Sequence, residues 1–228
     1  MSRNFKLPTY APPYRVLLVE DHVIVREGLA AILSAYPLEF SVCAQAATSR
    51  AARELAAQRQ PHLIILDFFL GDGDDGTRLL TDLSQLCPTS RRLVLSLSNE
   101  DDLAERAIRA GAHGYLVKSQ GTERLLIACR AVINGGLYLS PELQARLLDR
   151  IGSTLPPPAS RYSNLTDREL QIFHLLGANL SVEAIAGRLG ISAKTIASHR
   201  ENLKNKLGHE TTTELVEAAR NWLHVSDQ

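Results

Sequence analysis

Five short apolar segments alternate with five segments of helical pattern, and this alternation limits the fold more than any other feature of the sequence. It is typical of a parallel β-sheet with helices on both faces and right-handed connections between strands. The predicted strands cover residues 15–20, 40–46, 63–67, 92–97 and 114–118, and the predicted helices cover 22–35, 48–58, 76–86, 101–110 and 122–134. We therefore predict an α/β fold with one doubly wound, five-stranded parallel sheet.

The third predicted strand carries the most informative residues. Leu63 to Leu66 is an unbroken apolar run, as expected of a strand buried on both faces, and it ends in Asp67. A loop rich in glycine and acidic residues follows, up to Gly76. Open α/β sheets bind ligands at the carboxyl ends of their strands, so Asp67 is a candidate site residue. Taken alone, the stretch is explained equally well by an acid that caps a helix or turn.

Polar residues also follow the other strands. The side chains at or just past the predicted strand ends are those of Glu20, Asp21, Asp67, Ser96 and Lys118. They should lie close together, because the carboxyl ends of parallel strands share one edge. Three carboxylates repel one another unless a cation joins them, and oxygen ligands beside a lysine favour Mg²⁺. The hydroxyl of Ser96 and the ammonium of Lys118 would complete a binding site for a phosphoryl group. Individually, such acids are usually caps, and we also expect Asp21 to cap the first helix.

Composition limits the possible partners and compartments. The formal net charge of the 228 residues is zero, so any attraction to nucleic acid must be local. The three cysteines are widely spaced, which argues against a disulfide framework or a zinc site and suits a reducing cytoplasm. No segment approaches the roughly 20 apolar residues of a membrane helix, and the N-terminus has no apolar signal core. We expect a cytoplasmic protein that does not associate with membranes.

The pattern changes after residue 150. Residues 150–163 are rich in proline and predict a semi-rigid linker, and helical patterns without strands follow. The second and third of these helices, 182–189 and 193–207, are joined by a short turn that contains Gly190, which is the layout of a helix-turn-helix. The predicted units are a flexible tail at 1–14, an α/β domain at 15–136, a connecting helix and linker at 137–163, and a small four-helix domain at 164–228.

The 193–207 helix concentrates positive charge. It carries Lys194, Arg200, Lys204 and Lys206 against the single acid Glu201. Its short polar side chains could reach phosphates or base edges. An ordinary amphipathic helix would account for these residues equally well if the helix stood alone.

Residues 15–134 resemble the flavodoxin-like receiver domain of bacterial two-component response regulators. The matching segments are LLVEDH, LIILD, LVLSLS and GAHGYLVK, in the order and spacing of that family. The resemblance implies that Asp67 accepts a phosphoryl group and that Lys118 pairs with it. It also implies that Glu20 and Asp21 are the acid pair for Mg²⁺ and that the Phe69 carbonyl is a further metal ligand.

The same resemblance implies that Ser96 is the switch hydroxyl and Tyr115 the switch aromatic. Two departures from the family pattern stand out. The loop after the acceptor usually contains Met-Pro-Gly, whereas this chain has Leu70-Gly71-Asp72-Gly73, which could alter metal affinity or kinase docking. The lysine is usually followed by proline, and Ser119 stands there instead, which could loosen that loop.

Residues 165–221 resemble the LuxR-type, four-helix DNA-binding domain of the NarL/FixJ regulators. The resemblance rests on the leading LT-x-RE, the A-x-x-L-x-I-S centre and the KT-x-x-x-H…KLG end. It implies that three residues read bases and that four others hold the DNA backbone; the first are Ala197, Ser198 and Glu201, and the second are Lys194, Thr195, Lys204 and Lys206. His199 and Asn202 are further candidates on this face.

These observations predict a transcription factor controlled by phosphorylation. We expect a sensor histidine kinase as phosphoryl donor, a homodimer in the phosphorylated state, and two DNA half-sites about one helical turn apart. Two other classes fit parts of the sequence. A phosphatase could use Asp67 as nucleophile, but Phe69 stands where a haloacid-dehalogenase phosphatase needs a second acid. A DNA-binding protein could keep the receiver only as a scaffold, against which the intact Asp67, Ser96 and Lys118 argue.

Overall fold

A computed structural model describes residues 11–72, 74–96, 101–141, 143–145, 162 and 164–224. Its sheet has five parallel strands in the order β2-β1-β3-β4-β5, which confirms the predicted doubly wound topology. The strands are β1 (Tyr14–Val19), β2 (Phe40–Ala46), β3 (Leu63–Asp67), β4 (Arg91–Ser96) and β5 (Gly114–Val117). β1 and β4 each begin one residue earlier than predicted, so Tyr14 belongs to the sheet and not to the predicted tail.

The central strand β3 separates two apolar layers. Leu63 and Ile65 face one layer, and Ile64 and Leu66 face the other. All four side chains are buried, as expected of a parallel strand covered by helices on both sides. Because side chains alternate along a strand, this unbroken apolar run supplies both halves of the core and carries Asp67 to the sheet edge.

Five helices and a short 3₁₀ turn pack around the sheet. They are α1 (Val23–Ser34), α2 (Ser49–Arg59), α3 (Gly76–Leu86), α4 (Asp101–Arg109) and α5 (Gly121–Ile133), with the turn at Lys118–Gln120. Thr48 caps α2 and Asp75 caps α3 through their side chains. The expected cap by Asp21 is wrong: His22 occupies the N-cap position of α1 and makes no capping hydrogen bond with its side chain.

The chain after α5 returns to the sheet. The Tyr138 carbonyl accepts a hydrogen bond from the Tyr115 backbone N–H at 2.9 Å, and the Tyr138 N–H donates to the His113 carbonyl at 3.0 Å. The free side of β5 therefore has partners for its backbone groups at this point. Most of the predicted linker, and residues 1–10 of the predicted tail, lie outside the described residues.

Four further helices follow in the described residues, and their buried apolar side chains join the cluster on one face of the sheet. These helices are α6 (Asp167–Gly177), α7 (Val182–Leu189), α8 (Ala193–Leu207) and α9 (Thr212–His224). Thr166 and Glu169 form a reciprocal capping box at the start of α6, and Ser181 and Ser192 cap the next two helices. Gly190 takes a left-handed conformation, φ +63°, between α7 and α8. None of the helices in the described ranges is long and apolar enough to span a membrane.

Candidate functional site

Three of the predicted site residues meet at the carboxyl edge of the sheet. The Lys118 ammonium Nζ lies 2.7 Å from Glu20 Oε2 and 2.8 Å from Asp67 Oδ2. Both carboxylates are buried, with Glu20 1% and Asp67 6% exposed. Lys118, which follows β5, thus pairs with acids at the ends of two adjacent strands: Glu20 after β1 and Asp67 at the end of β3.

Burial and charge shift the pKa values of this cluster. Burial, followed by the neighbouring Asp67, raises the pKa of Glu20, and Lys118 only partly offsets this. For Lys118, burial acts to lower the pKa, but Asp67 and Glu20 together hold it above its ordinary value. The two acids therefore depend on a cation between them, because two unpaired buried carboxylates would be costly.

Asp21 lies beside this cluster and makes contacts that its sequence position does not indicate. Its Oδ2 accepts hydrogen bonds from the Gly71 backbone N–H, at 3.2 Å, and from Arg188 Nη2. Its Oδ1 is buried, and its neighbour is the His22 ring. His22 Nδ1 is 3.1 Å from both Asp21 Oδ1 and Glu20 Oε1, so this histidine joins a site to which sequence reasoning did not assign it.

The donor set fits the hard cation that the sequence predicted. Ligand atoms of Glu20, Asp21, His22 and Asp67 all lie within 4.8 Å of one another. Three of the four residues offer carboxylate oxygens, which Mg²⁺ prefers. Asp21 Oδ1 is a buried acceptor next to this group, and a cation would satisfy it. The residues present therefore suit a magnesium ion.

The two predicted switch residues are buried in the neighbouring strands. Ser96 ends β4 and is paired in register with Val117, the residue before Lys118. Tyr115 lies opposite Val94 and is 1% exposed, within the same apolar cluster as Phe68. The order of β3, β4 and β5 thus places Asp67, Ser96 and Lys118 at the ends of three successive strands.

The second domain packs against the loop that follows Asp67. The Phe69 ring stacks on the His174 ring of α6, with centroids 4.7 Å apart, and lies 6.2 Å from Trp222 of α9. Gln171 Nε2 donates to the Leu70 carbonyl at 2.9 Å. Burial lowers the pKa of His174 to about 4, so its ring is neutral in this contact at neutral pH. The His174 ring thus lies at the contact between the two domains.

The helix predicted to face DNA has one exposed side. Of the residues predicted to contact DNA, seven are exposed, namely Lys194, Thr195, Ala197, Ser198, Glu201, Asn202 and Lys206, whereas His199 and Lys204 are half-buried. The apolar side of α8, formed by Ile196, Leu203 and Leu207, is buried.

Two of the predicted phosphate-binding lysines already have partners within their own domain. Lys204 Nζ pairs with Glu201 Oε2 at 3.0 Å, and Lys206 Nζ pairs with Glu169 Oε2 at 2.7 Å. Lys206 therefore braces the capping box of α6, in addition to any contact with DNA.

Comparison with known proteins agrees with this arrangement. Residues 16–130 match the family described as response regulator receiver domain, and residues 163–219 match the bacterial regulatory proteins of the luxR family. The oxygen regulatory protein NreC of Staphylococcus epidermidis is 28% identical over 214 residues, which span 90% of this chain and 96% of that protein.

Solved structures show the same fold. A LuxR-family two-component response regulator from an Aurantimonas species is 28% identical with a TM-score of 0.57, covering 61% of this chain and 99% of that one. The RcsB response regulator of Salmonella typhimurium is 23% identical with a TM-score of 0.66, covering 91% and 97%.

An acid-and-lysine site at the edge of a doubly wound sheet, joined to a helix-turn-helix domain, defines a signalling protein that regulates transcription. The chain belongs to the two-component response regulators that combine a receiver domain with a LuxR-family DNA-binding domain.

Proposed function

We propose that Asp67 is the phospho-acceptor of this response regulator and that a sensor histidine kinase is its phosphoryl donor. The supporting observation is the position of the Asp67 carboxylate, which ends the central strand and accepts a hydrogen bond from Lys118 at 2.8 Å. Its other oxygen, Oδ1, accepts one from the Phe69 backbone N–H at 3.1 Å, so the carboxylate is held in a fixed orientation. Phosphoryl transfer to wild type but not to Asp67→Asn tests the proposal.

Mg²⁺ is the proposed cofactor, held by Glu20, Asp21, Asp67 and the Phe69 carbonyl. When bound, it would neutralise the acids and the charge of an incoming phosphoryl group. Lys118 is placed to pair with the same charge, because its ammonium already contacts Asp67. Ser96, at the end of the adjacent strand, is the proposed donor of a hydrogen bond to the phosphorylated side chain.

We propose that phosphorylation acts on the second domain through the loop that follows Asp67, because this loop contacts that domain. Phe69 lies two residues after Asp67 and stacks on His174, so a change in the loop bears directly on the domain that follows. Ser96 and Tyr115 would convey the change along β4 and β5. We also propose 15–136 and 164–228 as the limits of the two domains.

DNA is the proposed target of the exposed face of α8. That face carries Lys194 for phosphates and Ser198, Ala197 and Glu201 for base edges. RcsB, a relative in fold at 24% identity, has been solved bound to promoter DNA and as two dimers on two DNAs. By analogy we propose that two phosphorylated copies of this chain bind two half-sites about one DNA turn apart.

Substituting Lys194 should weaken DNA binding without changing its sequence preference. Lys194 is exposed near the start of α8. Lys194→Ala should lower the affinity for matched and scrambled sites alike, and should reduce the slope of log affinity against log salt by about one. Ser198→Ala should alter site preference and leave the slope unchanged. Binding titrations at several salt concentrations measure both quantities, and wild-type behaviour of both variants would exclude this face.

Lys204 and Lys206 serve as the matched comparison within the same helix. Lys204→Ala should also flatten the salt dependence by about one charge, since its pairing with Glu201 is on the surface and weak. Lys206→Ala should in addition lower the free energy of unfolding, because it removes the partner of Glu169. Thermal melts recorded beside the titrations separate that loss of stability from a loss of DNA contact.

The phosphorylated state should be long-lived. Phe69 is bulky and apolar at a position that, by resemblance to receivers, flanks the path of the hydrolytic water; the other such residue, Ser98, lies outside the described residues. Phe69→Asn should therefore speed loss of phosphate in the presence of Mg²⁺. Phe69→Leu is the control, because it loses the ring contact with His174 and keeps an apolar side chain. A slower or unchanged rate in Phe69→Asn would contradict the prediction.

A further inference from the structure

Arg188 forms an ion pair between the two domains at the edge of the proposed metal site. It lies near the end of α7, and its guanidinium Nη2 donates to Asp21 Oδ2. The same nitrogen is 3.5 Å from His22 Nε2. The side chains of Arg188 and Asp21 are 25% and 16% exposed, so the pair is largely shielded from water. The guanidinium of Arg188, from the DNA-binding domain, therefore pairs with Asp21, one of the two acids proposed to bind the metal.

Gly71 makes room for this arginine. A Cβ built on Gly71 would overlap Arg188 Nε and would lie 2.7 Å from Asp21 Oδ2 and 3.0 Å from Arg188 Cγ. Real Cβ atoms do not approach other atoms so closely, so any larger residue would push the arginine side chain away. The loop thus carries the smallest residue at the point where the arginine side chain passes to Asp21.

The contacts around Arg188 all fall on the loops that carry the candidate site. Gln171 bonds to the Leu70 carbonyl, and His174 stacks on Phe69. Asp21, Phe69 and Leu70 either belong to the proposed metal site or adjoin it. Part of the docking surface of the DNA-binding domain is therefore the rim of the metal site; a separate contact is made by Arg106 of α4, which donates to the Leu165 carbonyl at 2.7 Å.

We propose that Arg188 is a built-in competitor of Mg²⁺ for Asp21, so that the metal-free receiver holds the DNA-binding domain and Mg²⁺ weakens that hold. The inference rests on the proposed magnesium site and concerns a step before phosphorylation. A guanidinium and a divalent cation would share one carboxylate and repel each other. While Arg188 occupies Oδ2, the other oxygen, Oδ1, has His22 Nδ1 at 3.1 Å as its neighbour and is the oxygen that the metal would approach.

Reciprocity makes the proposal quantitative. If Mg²⁺ weakens domain docking by some factor, docking must weaken Mg²⁺ binding by the same factor. Couplings of this kind in proteins are typically about fivefold to 150-fold. Arg188→Ala should therefore bind Mg²⁺ more tightly than wild type by about fivefold or more.

Isothermal titration of MgCl₂ into the full-length protein tests the competition. Arg220→Ala is the control, because it removes an arginine from the same domain whose partner is Asn179 and not the receiver. Tighter binding in Arg188→Ala with wild-type affinity in Arg220→Ala supports the proposal. Equal affinity in wild type and Arg188→Ala overturns it, and so does an equal gain in both variants, which would reflect overall charge.

Trp222, the single tryptophan of the chain, reports the release. Its ring lies 6.2 Å from Phe69 and is buried. In wild type, Mg²⁺ alone should shift its emission to longer wavelength and increase the radius of gyration in X-ray scattering. An unchanged emission and radius in wild type at saturating Mg²⁺ overturns the release.

The outcome is independent of the phosphoryl proposal. Labelling of Asp67 by acetyl phosphate decides whether the residue is an acceptor, whereas magnesium affinity and domain separation decide whether Arg188 competes. A protein that takes label normally but shows equal Mg²⁺ affinity in wild type and Arg188→Ala would retain the proposed function and lose this inference.

Discussion

Asp67→Asn should take up no phosphoryl label from acetyl phosphate, and its DNA affinity should not respond to the donor. The substitution keeps size and shape but removes the nucleophilic oxygen. Wild type treated with donor and Mg²⁺ should gain about tenfold to hundredfold in DNA affinity, which corresponds to a few kcal/mol at most. The measurement is DNA binding by both proteins, with and without donor, Mg²⁺ and EDTA.

The Asp67→Asn variant should remain folded. An asparagine oxygen can still accept the hydrogen bond from the Phe69 N–H, and Lys118 keeps its contact with Glu20. Asp82→Asn is the matched control: it removes an acid from the same domain that pairs with Arg53, and it should label as wild type does. Equal labelling of Asp67→Asn and wild type would place the acceptor elsewhere. If wild type binds DNA with the same affinity in every condition, the receiver is only a structural scaffold and phosphorylation does not control DNA binding.

Lys118→Ala should lower the free energy of unfolding by about 3–5 kcal/mol in the absence of Mg²⁺. The lysine is the shared partner of two buried carboxylates, and removing one member of a buried ion cluster leaves the others uncompensated. Saturating Mg²⁺ should restore much of the loss, since a ligand bound only to the folded state stabilises it. Urea titrations with MgCl₂ and with EDTA measure both effects.

The pH dependence of this loss has a defined sign. Lys118 acts to lower the pKa of Glu20, so its removal raises that pKa further above the ordinary value of 4.5. An acid whose pKa is higher in the folded than in the unfolded state binds more protons when folded, so stability falls as pH rises from 4.5 through the folded pKa. The variant should therefore lose stability more steeply than wild type over this range.

Removing the second charge as well provides the control. The double variant Lys118→Ala/Asp67→Asn should be more stable than Lys118→Ala alone, because one of the two unpaired carboxylates is gone. A Lys118→Ala protein as stable as wild type in EDTA would show that the lysine does not hold the acids together.

The fold of the receiver and the grouping of its acids with Lys118 were predictable, because hydrophobic periodicity indicates the strands and helices and the parallel sheet brings the strand ends together. The unbroken apolar run from Leu63 to Leu66 is explained by burial on both faces, and parallel strands bring their carboxyl ends to one edge. Glu20, Asp67 and Lys118 could therefore be grouped without coordinates. The caps at Thr166, Ser181 and Ser192 were predictable for a similar reason, since a cap depends only on residues within one turn.

Contacts between the domains could not be predicted in the same way. Arg188 and Asp21 are 167 residues apart, and nothing in the local pattern of either residue indicates the other. Asp21 was expected to cap α1, which a local rule favours, but a tertiary contact took the carboxylate instead. Lys206 likewise fits a DNA-binding pattern, while its partner Glu169 lies on another helix.

The exposed face of α8 has a consequence for how this regulator finds its promoters. Lys194 and Ser198 lie in solvent while α6 and α9 are docked on the receiver. The docked protein should therefore already associate weakly with any DNA through its phosphate contacts and move along it. Phosphorylation would then act on molecules already bound weakly to DNA and would set the lifetime of the complex. The response time would therefore not include diffusion of the protein to the DNA.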